Sequence, residues 1–191
     1  MKVICIDFET SHSYNACSVG LAALEHGTIS PIGHWLIKPH EEHSYFHPVN
    51  ISIHGITPED VMTEPEFDVI YSKYIKPVLK GAVFAAHNAA FDMAVLRANL
   101  DLYGIEHPDI EYICSCKISR KAWDLPSHKL NLVSQYLNFD FTHHNALADA
   151  IACANILKRA TEDKGFKSLE ELLESIKIPY SSFHKLKKIK K

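Results

Sequence analysis

The stretch Val3-Ile4-Cys5-Ile6-Asp7-Phe8-Glu9-Thr10 begins with a run of apolar residues and ends with two carboxylates that are two positions apart. The apolar run predicts a buried β-strand. Because side chains alternate between the two faces of a strand, Asp7 and Glu9 are expected to point to the same face. Two like charges side by side at a buried position are unfavourable unless a cation or a proton neutralises them. Taken alone, the pair is equally consistent with a strand end whose acids reach solvent.

The segments that follow predict an antiparallel meander and then alternating helices and strands. Residues 18–24 and 29–37 are predicted strands, joined by a hairpin turn in which Gly27 can adopt a positive φ. Two shorter buried strands are predicted at residues 82–86 and 111–114. Together with the first strand they predict an α/β fold. Its sheet is mixed and five-stranded, with a three-stranded antiparallel meander and two parallel strands, and helices flank it.

Helical periodicity accounts for most of the remaining chain. The helix after the fourth strand is expected to bury a stripe formed by Phe91, Val95, Ala98 and Leu102. Residues 11–15 are predicted to form a polar turn directly after the first strand. The predicted helices cover residues 57–60, 66–79, 91–103, 115–123, 130–137, 145–161 and 169–176.

The composition is that of a globular protein with one principal domain. The 191 residues suit a domain at residues 1–165, followed at residues 166–191 by a C-terminal helix and a basic tail. Hydrophobic residues make up 47% of the chain, yet no apolar run approaches the ~20 residues that a membrane span needs. The N-terminus leads straight into a strand without a signal-peptide pattern, and the five cysteines are an odd number. We therefore expect a cytoplasmic protein with reduced thiols.

Two further acids occur in segments that are otherwise apolar. Asp92 lies in the first turn of a predicted helix, and Asp149 lies in the apolar run 147–151. Each alone is consistent with a solvent-facing acid on an amphipathic helix. Four acids that border buried elements instead suggest a shared site, and carboxylates without a cysteine partner suit Mg²⁺ or Mn²⁺ rather than zinc. Two such ions about 4 Å apart can bind the attacking and leaving oxygens in phosphodiester hydrolysis.

Three blocks of sequence resemble the motifs of a known family of nucleases. Residues 7–10, DFET, resemble its first motif, D-x-E-T, and residues 87–92, HNAAFD, resemble its second, H-N-x-x-F-D. Residues 144–149, HNALAD, resemble the third, H-x-x-x-x-D, and segments at 53–57 (IHGIT) and 129–132 (KLNL) match as well. All of them occur in the right order. On these motifs the chain resembles the DEDD superfamily of 3′–5′ exonucleases, and most of all the DnaQ-like relatives of the epsilon proofreading subunit of DNA polymerase III.

The third block indicates the subclass. The superfamily places either a histidine five residues before the last aspartate or a tyrosine four residues before it. Here His144 and Asn145 stand at these two positions relative to Asp149, so the chain resembles the histidine type, DEDDh. The neighbouring His143 has the wrong spacing and is interpreted as a loop or surface residue. The resemblance implies a ribonuclease H-like fold.

The resemblance also implies a metal-dependent mechanism. Asp7, Glu9, Asp92 and Asp149 would hold two divalent metal ions, Mg²⁺ or Mn²⁺, and would form the catalytic set together with His144. His144 would be the general base that takes a proton from the attacking water, which suits an imidazole whose unperturbed pKa is near neutrality. The expected reaction is hydrolysis at the 3′ end of single-stranded nucleic acid, with DNA favoured over RNA and nucleoside 5′-monophosphates released.

Five residues match family positions near the terminal nucleotide of the substrate: Thr10, His54, His87, Asn88 and Phe91. Structural alternatives are open for four of them. His54 and His87 could be hydrogen-bonded within the fold, Asn88 could be a helix N-cap, and Phe91 could belong to the core. As a substrate contact, an aromatic ring would stack on a base without sequence preference.

The sequence leaves the exact substrate and the partners open. One alternative keeps the site but makes the chain an RNA-trimming enzyme of the oligoribonuclease type, and another is a nucleic-acid-binding module without catalysis. The family often has Thr-Gly after its first motif, whereas this chain has Ser11 and His12, which leaves the seating of the 3′ end open. A DNA polymerase is a candidate partner, and the oligomeric state is unknown. The net charge of −3 does not exclude a nucleic-acid substrate, because a metal site would neutralise four of the acids.

Basic residues permit two interpretations. The cations between the second and third motifs could follow the substrate backbone or could form a solvated helical face. They are Lys117, Arg120, Lys121 and Lys129. The lysine-rich tail, residues 185–191, could likewise bind nucleic acid or serve as a solubilising end.

Overall fold

The long N-terminal strand is central to one mixed sheet. The structure is a computed structural model and describes residues 1–185. The strands in this part of the chain are β1 (Lys2–His12), β2 (Asn15–Glu25), β3 (Thr28–Leu36), β4 (Ala82–Ala86), β5 (Glu111–Cys114) and β6 (Ser181–Ser182). They lie in the order β3-β2-β1-β4-β5-β6. The pairs among β1, β2 and β3 are antiparallel, whereas β1, β4 and β5 run parallel to one another.

Helices cover both faces of this sheet. They are α1 (Pro48–His54), α2 (Pro58–Val61), α3 (Phe67–Ile70), α4 (Ala90–Leu102), α5 (Ser115–Ala122), α6 (Leu130–Tyr136), α7 (Ala146–Asp163) and α8 (Leu169–Ser175). Short 3₁₀ turns occur at Glu41–His43, Lys76–Val78 and Phe183–Lys185, and a π-helical turn occurs at Tyr71–Ile75. Within the described part of the chain, every helix is too short or too polar to cross a membrane.

Side chains alternate along β1 and divide the core into two layers. Val3 and Cys5 pack on one face with residues of α5, α6, α7 and α8. Ile4 and Ile6 pack on the other face with residues of α3 and α4. The two acids of the first motif continue the series of Val3 and Cys5, so they are directed to the layer that contains α7.

The predicted α/β fold with a mixed sheet is confirmed, but within residues 1–185 the sheet has six strands instead of five. The additional strand, β6, pairs antiparallel with β5, with Ser181 opposite Tyr112. Its two serines form no apolar or alternating pattern, so the sequence does not mark them as a strand. The strand lies in the segment expected to be a helix and a tail, where Phe183 is fully buried. Residues 186–191 of the predicted basic tail lie outside the described residues.

The polar turn predicted at residues 11–15 is shorter than expected. β1 continues through His12 and β2 starts at Asn15, which leaves a two-residue turn at Ser13 and Tyr14. Ser13 adopts a positive φ of 52°, and the side-chain amide of Asn15 donates to the carbonyl of His12 at 3.0 Å. The backbone pairing between β1 and β2 therefore extends into this segment, although its side chains are polar.

Two helical regions of the structure differ from the expectation. The segment 66–79 forms α3, a π-helical turn and a 3₁₀ turn instead of one α-helix. Pro77 lacks the N–H that an α-helical hydrogen bond requires, so the regular ladder ends before it. α1 starts at Pro48, where no helix is predicted, and Gly55 with a φ of 77° separates α1 from α2.

α4 is rotated relative to the prediction. Of the four residues in the predicted stripe only Val95 is buried, and Phe91 is 37% exposed. The buried side of the helix is formed by Asp92, Met93, Val95, Leu96, Asn99 and Leu100. This side has the same helical spacing as the predicted stripe, so periodicity alone permits both orientations. The orientation in the fold directs Asp92 inward.

Candidate active site

β1 extends beyond the end of β4, and this leaves an open strand edge at the first motif. The parallel register of the two strands ends with Cys5 opposite Ala85, whereas the antiparallel pairing of β1 with β2 continues. On the open edge, the backbone N–H of Phe8 donates to Oδ1 of Asp92 at 3.2 Å. The first turn of α4 thereby brings Asp92 to the two acids of β1.

The fourth acid comes from the opposite layer of the fold. Asp149 lies in the first turn of α7, where the side chain of Asn145 caps the helix by accepting a backbone N–H at 3.1 Å. The helix approaches β2 closely at Gly20, which stands opposite Asp7 in the β1–β2 register. A Cβ at this glycine would lie 2.1 Å from the carbonyl carbon of Ala146. The glycine therefore determines how near Asp149 comes to β1.

Burial raises the pKa values of all four carboxylates, and the charges of neighbouring acids raise those of Asp7, Glu9 and Asp92 further. Asp92 and Asp149 are each 2% exposed, and Asp7 and Glu9 are partly buried. Burial is the largest cause of the raised pKa of Asp7, and the charges of the other three acids add to it. Burial and the charges of Asp149 and Asp92 raise the pKa of Glu9 to about 8. Burial also raises the pKa values of Asp92 and Asp149. Among residues 1–185, no lysine or arginine forms an ion pair with any of these acids.

This donor set fits divalent cations. One carboxylate oxygen from each of Asp7, Glu9 and Asp149 lies within 4.8 Å of the other two. Carboxylate oxygens are the ligands that Mg²⁺ and Mn²⁺ prefer in proteins. A bound cation would favour the ionised form of each acid and so would reverse the effect of burial and mutual repulsion on their pKa values.

Two adjacent histidines contact Asp149. The ring of His143 donates from Nδ1 to Oδ1 of Asp149 at 2.6 Å, and the main-chain N–H of His144 donates to Oδ2 at 2.9 Å. The two imidazole rings stack with their centroids 3.8 Å apart. The predicted base, His144, is exposed, and its pKa is lowered by partial burial of the ring and by the charge of His143.

His143 was interpreted as a loop or surface residue, and it does lie in a turn, but its side chain also contacts Asp149. Its side chain is only 33% exposed, and it is a hydrogen-bond partner of Asp149. His143 is not part of the third motif, so its position next to His144 is the one signal in the sequence that could have indicated its contact with Asp149.

Thr10 near the end of β1 and His54 at the end of α1 form hydrogen bonds with each other and with other residues of the protein. The Nε2–H of His54 donates to the carbonyl of Thr10 at 3.1 Å, and its Nδ1 accepts from the N–H of Ile56 at 3.0 Å. Asn50 donates to the carbonyl and to the hydroxyl oxygen of Thr10, at 2.8 and 3.2 Å. Both ring nitrogens of His54 have protein partners, which favours its structural alternative. Substrate binding by Thr10 and His54 stays a prediction.

The turn between β4 and α4 places His87 and Asn88 beside the acids. The Nε2–H of His87 donates to the carbonyl of His128 at 2.8 Å, and its Nδ1 lies 2.9 Å from Oγ of Ser115. Burial lowers the pKa of His87 to about 4, so its ring is neutral at neutral pH. Asn88 adopts a φ of 71°, and its main-chain carbonyl accepts from the N–H of Phe91. The N-cap of α4 is the residue after Asn88, so the N-cap alternative for Asn88 is wrong.

The four acids and both adjacent histidines share one open cleft of about 700 Å³. Phe91 contributes an exposed aromatic ring to its lining, and Arg120 and Lys129 contribute exposed cations. Of the predicted substrate contacts, Thr10 and His54 do not line this cleft among the described residues. The cleft thus combines donors for cations with groups that can bind phosphates and a base.

The chain matches a family model over most of its length. The model, RNase_T, is described as an exonuclease and matches residues 4–157. The chain is 33% identical over 124 residues to the PolC-type DNA polymerase III of Clostridium perfringens, which covers 63% of this chain and 8% of that protein. It is 28% identical over 165 residues to the PolC-type DNA polymerase III of Thermotoga maritima, which covers 83% of this chain and 12% of that protein. The chain therefore spans about a tenth of the length of these relatives.

Solved structures of nucleases share the fold. Exonuclease X in complex with 5′ overhanging duplex DNA superposes with a TM-score of 0.72 at 21% identity, covering 91% of this chain and 99% of the other. The nuclease domain of 3′hExo, a DEDDh family member bound to rAMP, superposes with a TM-score of 0.73 at 19% identity, covering 87% of this chain and 94% of the other. At these identities the likeness supports the ribonuclease H-like arrangement of sheet and helices.

Proposed function

The chain belongs to the DnaQ-like exonuclease family, and on this basis we propose that it removes nucleotides one at a time from the 3′ ends of single-stranded nucleic acid. The products would be nucleoside 5′-monophosphates. The observation that carries the proposal is the convergence of four carboxylates from β1, α4 and α7 in one cleft, where no lysine or arginine of residues 1–185 forms an ion pair with them. Such a cluster opposes folding unless it binds cations, so its presence in the fold is best explained by a role in catalysis.

Two divalent cations, Mg²⁺ or Mn²⁺, would be held by Asp7, Glu9, Asp92 and Asp149. When bound, the cations supply positive charge to the scissile phosphate and lower the pKa of a bound water. The chain's own contribution is the placement of the four acids. The Phe8 N–H fixes the carboxylate of Asp92, and the N–H of His144 fixes that of Asp149.

His144 would act as the general base. Its ring is exposed to the cleft and its lowered pKa keeps it neutral near pH 7, so a ring nitrogen is free to accept a proton from the attacking water. The main chain of His144 is tied to Asp149, which holds the ring close to the acids. Proton transfer therefore takes place beside the proposed cation site.

The substrate class is argued from the cleft and from the relatives. Arg120 and Lys129 would bind backbone phosphates, and Phe91 and Asn88 would contact the terminal nucleotide. DNA is favoured because the relatives include PolC-type DNA polymerases, and a DNA polymerase is a candidate partner of this chain. RNA is the second candidate, because a nuclease domain of the same fold is bound to rAMP.

The test is product analysis on DNA and RNA single strands of the same sequence, each labelled at the 5′ end. In Mg²⁺ or Mn²⁺ we expect a ladder that shortens from the 3′ end, with mononucleotides as products and no reaction in excess chelator. Asp7→Asn is expected to reduce the rate by about a hundredfold or more.

Controls decide between the proposal and its alternatives. Full activity of a purified Asp7→Asn protein would contradict the proposal. Strand binding that persists in chelator, without turnover in either metal, would instead support a binding module. Faster turnover of the RNA strand would favour the RNA-trimming enzyme.

A further inference from the structure

The loop between α6 and α7 carries a row of four rings that ends at His144. Phe139, Phe141 and His143 are spaced two residues apart, and their ring centroids are separated by 6.0 Å and then by 5.6 Å. The ring of His144 continues the row, because it stacks on that of His143 at 3.8 Å. The residues between the first three rings are exposed. The loop therefore directs these rings to one side, as an extended segment does.

The inner end of this row is held by the protein core. Phe139 and Phe141 are partly buried and pack against the core cluster that contains residues of α5, α6, α7 and α8. The N–H of Phe139 donates to the carbonyl of Ser134 in α6 at 2.9 Å. Because protein cores are closely packed, these two rings present a fixed surface to the histidines at the outer end.

His143 connects this surface with the acids. Its Nδ1–H donates to Asp149 at 2.6 Å, and the ring of Phe141 lies against it edge-on, with an interplanar angle of 64°. A single hydrogen bond lets an imidazole rotate about the line between donor and acceptor, and a second contact on the ring prevents that rotation. Phe141 therefore fixes the plane on which the ring of His144 stacks.

The ring of His144 has few other contacts that could orient it. The residue has a φ of 67°, which is uncommon for a residue with a side chain, and its main-chain N–H donates to Asp149. Among residues 1–185 its imidazole forms no hydrogen bond or ion pair. The ring therefore takes its orientation from the stack on His143.

We propose that Phe141 is a positioning residue, which acts through His143 to hold the imidazole of His144 in the orientation for proton transfer. The inference rests on the proposed function, in which His144 is the general base, and it concerns a residue outside the three motifs. A base that is oriented before the substrate binds avoids the loss of rate that follows from a misplaced reacting group. The alternative is that Phe141 only covers the core, and then any apolar side chain of similar size would serve.

Phe141→Leu separates the two alternatives, because it keeps an apolar side chain and removes the ring. We expect kcat on a single-stranded oligonucleotide to fall about tenfold with KM little changed, as for other residues that position a catalytic group. Phe141→Tyr, which keeps the ring, should retain the wild-type kcat. Phe141→Met is a second replacement without a ring and takes the place of the leucine variant if that variant does not fold.

A double variant shows whether the effect passes through His144. Adding Phe141→Leu to His144→Ala should lower kcat no further, because the group that Phe141 orients is then absent. A further loss of about tenfold would mean that Phe141 acts on another part of the site, and it would overturn the inference.

Phe166→Leu is the matched control. Phe166 is likewise partly buried against the same core cluster. It follows the C-terminal end of α7, and 18 residues of helix, roughly 27 Å, separate that end from the loop with the histidines. Its replacement should leave kcat and KM unchanged. An equal loss of kcat in Phe166→Leu would show that any truncation in this core lowers the activity, and would refute the role of Phe141.

Nuclear magnetic resonance measures the orientation of the ring without turnover. In the metal-free protein at about pH 8, where ordinary imidazoles are neutral, stacked rings shift each other's Cε1–H resonances. We expect Phe141→Leu to move the His144 resonance, assigned with His144→Gln, towards that of an exposed histidine. Phe141→Tyr and Phe166→Leu should leave it in place. An unchanged His144 resonance in Phe141→Leu would refute the inference.

The outcomes separate the inference from the proposed function. If the wild type degrades the strand and Phe141→Leu does so equally fast, the positioning role is refuted and the exonuclease stands. If the wild type degrades no strand, the exonuclease proposal fails, and the His144 resonance alone then decides whether Phe141 orients this ring.

Discussion

Replacing Glu9 with glutamine is expected to stabilise the metal-free protein near neutral pH, although it removes a proposed metal ligand. The pKa of Glu9 is raised from 4.5 to about 8 by burial and by the charges of Asp149 and Asp92. Between these two pKa values the folded protein binds more protons than the unfolded chain. The contribution of Glu9 to stability is therefore full below about pH 4.5 and is lost as the pH rises towards 8.

The size of the effect follows from the same shift. If the shift applied in full, Glu9 would oppose folding at pH 7 by about 3 kcal/mol, because its carboxylate is ionised in the unfolded chain and has to take up a proton on folding, at 1.36 kcal/mol per pH unit above 4.5. Glu9 keeps some contact with solvent, which screens its charge, so we expect a gain of about 1–2 kcal/mol for Glu9→Gln. For a protein of this size such a gain raises the Tm by roughly 2–8 °C.

The assay is thermal unfolding in chelator at several pH values, followed by circular dichroism. Glu9→Gln should exceed the wild type in Tm near pH 7, and the difference should disappear near pH 4.5. Added Mg²⁺ or Mn²⁺ should raise the Tm of the wild type more than that of the variant, because a ligand that binds only the folded state stabilises it. A variant that is less stable than the wild type at both pH values, and equally responsive to metal, would refute the reasoning.

Two further substitutions test the base and the approach of α7. His144→Ala should lower kcat by about 10²–10⁴-fold, with little change in the metal-induced rise in Tm. His143→Ala is the comparison and should lower kcat only roughly 10–100-fold, because His143 positions Asp149. Equal losses of kcat in the two variants would contradict the assignment of His144 as the base. Gly20→Ala should destabilise the protein by about 1–3 kcal/mol in urea unfolding and reduce activity, because its Cβ would overlap the backbone at Ala146. Gly81→Ala is the comparison, because a Cβ there would meet no atom within 4 Å although φ stays at +69°. It should destabilise the protein less than Gly20→Ala and leave activity intact. A larger loss of stability in Gly81→Ala would contradict the close approach of α7 to β2.

The sequence predicted the central strands because their signals are local. The short apolar runs of β1 and β5 predict strands without any information on tertiary contacts. The predicted bounds of β5 are those observed, Glu111–Cys114. The three motif blocks predicted which residues would be near one another, and the structure places the acids of all three in one cleft. Family motifs carry this information because their spacing reflects a shared three-dimensional site.

The errors concern features that depend on tertiary packing. The helical pattern of α4 permits two buried faces, and only contact with β1 selects the face that contains Asp92 and leaves Phe91 exposed. β6 consists of two residues whose pairing depends on the edge of β5, so no local sequence pattern predicts this strand. The contact of His143 with Asp149 depends on how one turn folds, which residue spacing does not determine.

The location of the site follows from the difference in length between two parallel strands. A carboxylate from the α4 layer and one from the α7 layer lie on opposite faces of the sheet, and a continuous sheet would keep them apart. Because β4 ends at Ala86 while β1 continues to His12, the edge of β1 is open beside Asp7, and Asp92 can reach the N–H of Phe8 there. On the other face, α7 reaches the same strand because Gly20 has no side chain. The acids therefore meet where β1 extends beyond β4, at the open cleft in which the proposed substrate would bind.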